Sequence, residues 1–139
     1  MPTESAIHEK QRFSIHAHRA IHFRLKGETL MALGMIEVFG FATSIVVADA
    51  MAKAADVKVV AIDKNKPAGG DSCEVPLVMV VKFQGNAGAV QSAMDRGIEE
   101  AKKRGLYITS KLIAGLDEQV QWFAELTATG RDKLRNMDK

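Results

Sequence analysis

Cys73 is the only thiol in the chain, and it lies in a polar stretch, NKPAGGDSCEVP, set between two apolar runs. One cysteine cannot make an internal disulfide. Nor can it hold zinc or an iron-sulfur cluster within one chain, because both take several thiolates or imidazoles. An oligomer built around a symmetry axis changes that count, since every copy brings its own sulfur close to one point. Gly69 and Gly70 would let the backbone approach such a centre. Asp71 and Glu74 act the other way, because their charge repels an anionic thiolate-ligated cluster. An ordinary thiol, exposed or buried, is the alternative.

His16, His18 and His22 share one parity in residues 13–25 and are the other candidate ligands. On a strand that rises about 3.3 Å per residue, His18 and His22 are too far apart to share an ion, so only the first pair could bind zinc. Solvated histidines on an outer face explain the pattern equally well. No nucleophile, base and orienting acid occur in a recognisable motif, and Ser44, Ser72 and Ser92 lack motif partners. Gly34, Gly40, Gly69 and Gly70 do not have the spacing of a phosphate loop. Asp49 and Lys53, four apart, read as a weak intrahelical ion pair. Catalysis is therefore not expected.

Charge excludes further classes. The chain has 139 residues, 47% of them hydrophobic and 26% charged, with a formal net charge of +2. Its basic residues are scattered among acids, so no nucleic-acid partner is expected. Lys102, Lys103 and Arg104 suit the negative end of a helix dipole. No apolar run is long enough to cross a bilayer, and the first residues lack the basic and apolar regions of a secretory signal. Cytoplasmic residence is the default expectation.

The elements that must position Cys73 follow from periodicity. Residues 13–25 alternate, with Phe13, Ile15, Ala17, Ile21, Phe23 and Leu25 on one parity, which predicts a strand-like N-terminal extension over 1–30. Residues 32–39 read as a strand. Residues 41–55 read as a helix, with Phe41, Ile45, Ala48 and Met51 at helical spacing. A second strand is expected over 57–62 and a third over 77–83, and the turn-formers Pro67, Gly69, Gly70 and Asp71 mark the loop between them. Asn86 is placed to cap a helix over 87–104 that buries Val90, Met94, Gly97, Ile98 and Ala101, and Gly105 should stop it. A fourth strand over 106–113 and a short helix over 120–126 precede a charged tail. Strand, helix, strand, strand, helix, strand predicts an α+β, ferredoxin-like fold: a four-stranded antiparallel sheet with both helices on one face. The other face should need a partner, solvent or the N-terminal extension.

At these residues the sequence resembles the bacterial microcompartment shell proteins, in particular the single-domain type that forms hexameric tiles. ALGMIE at 32–37, VADAM at 47–51, Lys53 followed by Ala54 and Ala55, and GNAGAV at 85–90 carry the resemblance, which extends over about 32–120. Together with the patterns on either side, it divides the chain into an N-terminal extension (1–30) with no counterpart in the family pattern, a BMC shell domain (31–120) and a C-terminal helical tail (121–139). It also implies a homohexamer that tiles with other shell proteins and passes small metabolites through a central pore. Lys53 would then be the tile-edge lysine. Lys64, Pro67, Gly69, Gly70, Asp71, Ser72 and Cys73 would form the pore loop. Some family members, including tiles of glycyl-radical microcompartments, carry an iron-sulfur cluster on the pore axis. The long cysteine-bearing loop resembles that subset, which makes Cys73 a candidate ligand of a [4Fe–4S] cluster shared between subunits.

Two departures bear on these expectations. The loop after Lys64 is several residues longer than the family's short glycine-serine-glycine turn, so the opening should be narrowed, plugged or chemically altered. Ala114, Gly115, Leu116 and Asp117 stand where the family commonly has a proline-arginine-proline-histidine segment, so the tile-edge arginine contact is missing. The alternative reading is a small ferredoxin-like ligand-binding or sensor module without catalysis.

Overall fold

The computed structural model describes residues 30–127, and all the elements below fall in the compact unit that begins at Met31. The expected N-terminal strand, the three histidines and the charged tail lie outside the described residues. In chain order the elements are β1 (Ala32–Phe39), α1 (Phe41–Ala54), β2 (Lys58–Asn65), a 3-10 turn at Gly70–Ser72, β3 (Val78–Gly85), α2 (Ala87–Lys103), β4 (Tyr107–Ile113), a 3-10 turn at Glu118–Val120 and α3 (Gln121–Glu125).

The four strands form one antiparallel sheet in the order β2-β3-β1-β4. β1 and β3 are central and pair from Ala32 opposite Gly85 to Phe39 opposite Val78. This is the α+β arrangement that the element order predicts. Alternation puts Ile36 and Val38 of β1 with Met79, Val81 and Phe83 of β3 in the main core, where α1 and α2 supply Val47, Met51, Val90 and Met94. Burying a large apolar side chain contributes roughly 1.5–3 kcal/mol, so this layer dominates the stability of the unit.

β2 departs from simple alternation. Its register against β3 shifts between Val59 and Ala61. The bulge lets Val59 and Ile62 pack on the helix side, while Val60 packs against Leu33, Leu116 and Ala124 on the other.

α2 begins and ends where local chemistry dictates. The Asn86 side chain accepts a hydrogen bond from the Ala89 N–H at 2.8 Å. At the other end Gly105 (φ 69) lets the Leu106 N–H reach the Ala101 carbonyl at 3.1 Å and its own N–H reach the Lys102 carbonyl at 2.9 Å. Val90, Met94, Gly97 and Ala101 are buried as expected, and Ile98 is partly buried against the same core.

Two expectations are corrected. The apolar spacing in α1 points to Phe41 and Ile45 as well as Ala48 and Met51, yet Phe41 and Ile45 are 50% and 46% exposed. The buried side instead carries Thr43, Ser44, Val47, Ala48 and Met51. With apolar residues on most sides and small ones at the contact, α1 is oriented by how closely it can approach α2: Gly97 sits directly against Met51. The second correction concerns the sheet face away from the helices. The chain itself covers part of it, with Leu116 and Ala124 packing on Leu33.

Candidate functional site

The segment that the sequence singles out joins β2 to β3 at one end of the sheet. The sequence pattern places Lys64 in the loop, but it and Asn65 are the last two residues of β2, both exposed, so the connection between the strands is 66–77. The loop closes on itself through local hydrogen bonds. Gly70 N–H donates to the Pro67 carbonyl (2.9 Å), Ser72 N–H to the Gly69 carbonyl (3.2 Å) and Cys73 N–H to the Gly70 carbonyl (3.3 Å). The Ser72 hydroxyl also donates to the Gly69 carbonyl. These bonds make the Gly70–Ser72 turn, which brings Gly69 and Cys73 together. A Cβ on Gly69 would fall 2.7 Å from the Cys73 sulfur, so the thiol rests against bare backbone.

Cys73 is half-buried, between exposed Asp71 and Glu74. Pro67 and Gly70 are partly covered, and Gly69, Asp71 and Ser72 are exposed. Among the described residues no three His, Cys, Asp or Glu side chains gather as a metal-holding group. One chain therefore supplies a single thiol with two acids beside it, a donor set that does not fit a [4Fe–4S] cluster.

Lys64 also borders a second feature. On the sheet face away from α1 and α2 lies an open trough of about 700 Å³, with Met35, Val80, Phe123 and Leu126 as apolar lining and Glu37, Asp63, Lys64 and Lys111 among its polar groups. The loop residues 67–73 do not line it.

Lys53 stands in the last turn of α1, with 76% of its side chain exposed, and pairs with Asp49 at 2.7 Å. That is the intrahelical pair its spacing predicts.

Sequence reasoning passed over Lys82. Its side chain is wholly buried and its ammonium meets Asp63 Oδ2 at 2.6 Å. It also donates to the carbonyl oxygens of Phe123 (2.7 Å) and Leu126 (2.5 Å), and it lies 4.4 Å from the centre of the Phe123 ring. A signal was present: Lys82 is the one charge in VMVVKF, on the strand parity opposite to Met79, Val81 and Phe83. Gln84 and Gln121 exchange two amide hydrogen bonds (2.8 and 3.0 Å) beside it, and the Thr127 hydroxyl donates to the Ile62 carbonyl at 2.7 Å.

Comparison with known proteins agrees with this architecture. The BMC domain model matches residues 32–116, from the start of β1 to just past β4. The chain is 35% identical over 83 residues to the bacterial microcompartment shell protein PduK of Citrobacter freundii, covering 60% of this chain and 48% of that protein. It is 35% identical over 91 residues to the shell protein EutK of Escherichia coli K12, covering 66% and 49%. It thus spans about half the length of the curated relatives it matches. A crystal structure of a microcompartments protein from Desulfitobacterium hafniense DCB superposes with a TM-score of 0.54 at 25% identity, over 69% of this chain and 47% of that one. With the family model spanning the whole sheet and both long helices, the chain belongs to the BMC-domain family of microcompartment shell proteins.

Proposed function

We propose that this chain is a structural, non-catalytic shell protein of a bacterial microcompartment in the cytoplasm. It assembles as hexameric tiles, joins other shell proteins, and leaves a central pore for small metabolites. The observation that carries the reading is the BMC domain match over 32–116. Exposed Phe41, Ile45 and Val46 on α1 support it, because large apolar side chains gathered on one helix are suited to burial by neighbouring copies. In the assembly, residues 64–73 face the symmetry axis and Lys53 lies at the tile edge.

Native mass spectrometry tests the assembly. Six copies of a 15.1 kDa chain give a particle of about 90 kDa. A monodisperse monomer at high concentration overturns the tile, and a stable dimer favours the sensor module.

The finer expectation, a [4Fe–4S] cluster shared between subunits, requires several copies to bring Cys73 together, since one chain does not fit the group. Assignment to the glycyl-radical subset rests on the same loop and goes with it. Iron and sulfide in the anaerobically purified oligomer, both lost in Cys73→Ser, would support the cluster. An iron-free anaerobic oligomer removes it and leaves the tile standing.

A further inference from the structure

Burying an ammonium is costly, and an apolar side chain would fill the space under α3 without that cost. What Lys82 adds is direction. Its three N–H donors are all used, on Asp63 of β2 and on the carbonyls of Phe123 and Leu126. One side chain on β3 therefore ties the strand end of β2 to the segment that follows β4.

Two further polar links run alongside it. Gln121 pairs with Gln84 at the start of α3, and Thr127 donates to Ile62 at its end. Apolar contact in this layer is small by comparison: Leu116 and Ala124 on Leu33, with Met35 and Val60 alongside. A segment held by directional polar bonds and a small apolar cluster of its own can detach without exposing the main core, which lies on the other side of the sheet.

Its grip also falls at a particular place. Among the described residues β2 is an edge strand, held by the β-ladder on one side. Ile62 and Asp63, the residues gripped, lie just before the loop 66–77.

We infer that residues 116–127 form a strap that, with Lys82 as the positioning residue, sets how freely the end of β2 and the loop 66–77 move. The inference rests on the shell reading only for its consequence, control of the opening that the loop borders. The coupling itself is a property of one chain.

Hydrogen exchange on the intact protein tests it, with Lys82→Met as the variant. Losing hydrogen bonds to a charged group should speed exchange roughly tenfold or more at 121–127 and, together with it, at 63–73. Amides at the centre of β1 and β3 should keep their protection. Acceleration of the strap alone, with 63–73 unchanged, overturns the coupling. If Lys82→Met does not fold, Gln121→Ala loosens the strap from its far end and leaves Lys82 in place. Joint acceleration there supports the inference, and acceleration of the strap alone, or none in either segment, overturns it. Native mass of the parent protein separates the two readings: a monomeric parent with coupled exchange in the variants counts against the shell proposal and not against the strap.

Discussion

The ring of Phe83 occupies the space that a side chain on Gly34 would need, directly across the β1–β3 pair. A Cβ built on Gly34 would fall against the ring tip and 2.5 Å from Cε2, closer than real Cβ contacts come. Glycine usually weakens a central strand, and here it makes room for the one fully buried aromatic side chain among the described residues. Gly34→Ala should therefore cost roughly 1–3 kcal/mol through overpacking. Urea unfolding checks this, and Phe83→Leu in the same chain should recover part of the loss, because the two sites share one contact.

The exposed side of α1 gives a second expectation. Phe41 and Ile45 contribute little to the core of the single unit. Replacing both by serine should leave the circular dichroism spectrum intact yet weaken association by on the order of 1–3 kcal/mol per residue buried between copies. Sedimentation at several concentrations reads this as a shift to smaller species. An unchanged hexamer would show that this surface is not the subunit contact.

Lys53 separates fold from tiling. An exposed pair at i, i+4 such as Asp49–Lys53 is worth about 0.3–0.5 kcal/mol, so Lys53→Ala should barely move the unfolding midpoint. If Lys53 lies at the tile edge, the same change should leave the hexamer's native mass intact and reduce ordered two-dimensional sheets under electron microscopy.

Glu100 predicts a pH dependence. It bonds Arg96 at 2.8 Å, one turn earlier on α2, and Arg104 at 2.5 Å, four residues on at the helix's C-cap. The Arg104 hydrogen bond first, then that of Arg96, hold its carboxyl below the ordinary value of 4.5, against a smaller opposing effect of burial. A carboxylate whose folded pKa is depressed stabilises the protein above its unfolded pKa, and that stability is lost as pH falls through the folded value. Glu100→Gln should accordingly lower the thermal midpoint near neutral pH, with the gap to the parent closing as pH drops below 4.5. A gap independent of pH would mean that packing, not charge, sets the effect.

The parts of the fold legible in the sequence were those fixed by local pattern. Valine and isoleucine runs located the strands, and Asn86 and Gly105 bounded α2. The loop that carries Cys73 was legible because proline and glycine interrupt the apolar runs around it. The end of β2 is not legible in the sequence, since nothing in Asp63, Lys64 or Asn65 favours a strand. Pairing with Val80, Met79 and Val78 extends it that far.

By itself, then, the sequence determined the type and order of the elements and the topology that follows from them, because hydrophobic period and turn chemistry act over a few residues. Only the tertiary structure decided which side of α1 is buried, since a helix apolar on most sides takes its orientation from what packs against it. It also decided that Lys82 is buried. The groups that make a buried ammonium tolerable are distant along the chain: Asp63 reaches it through the pairing of β2 with β3, and the Phe123 and Leu126 carbonyls meet it only when the segment after β4 crosses the sheet.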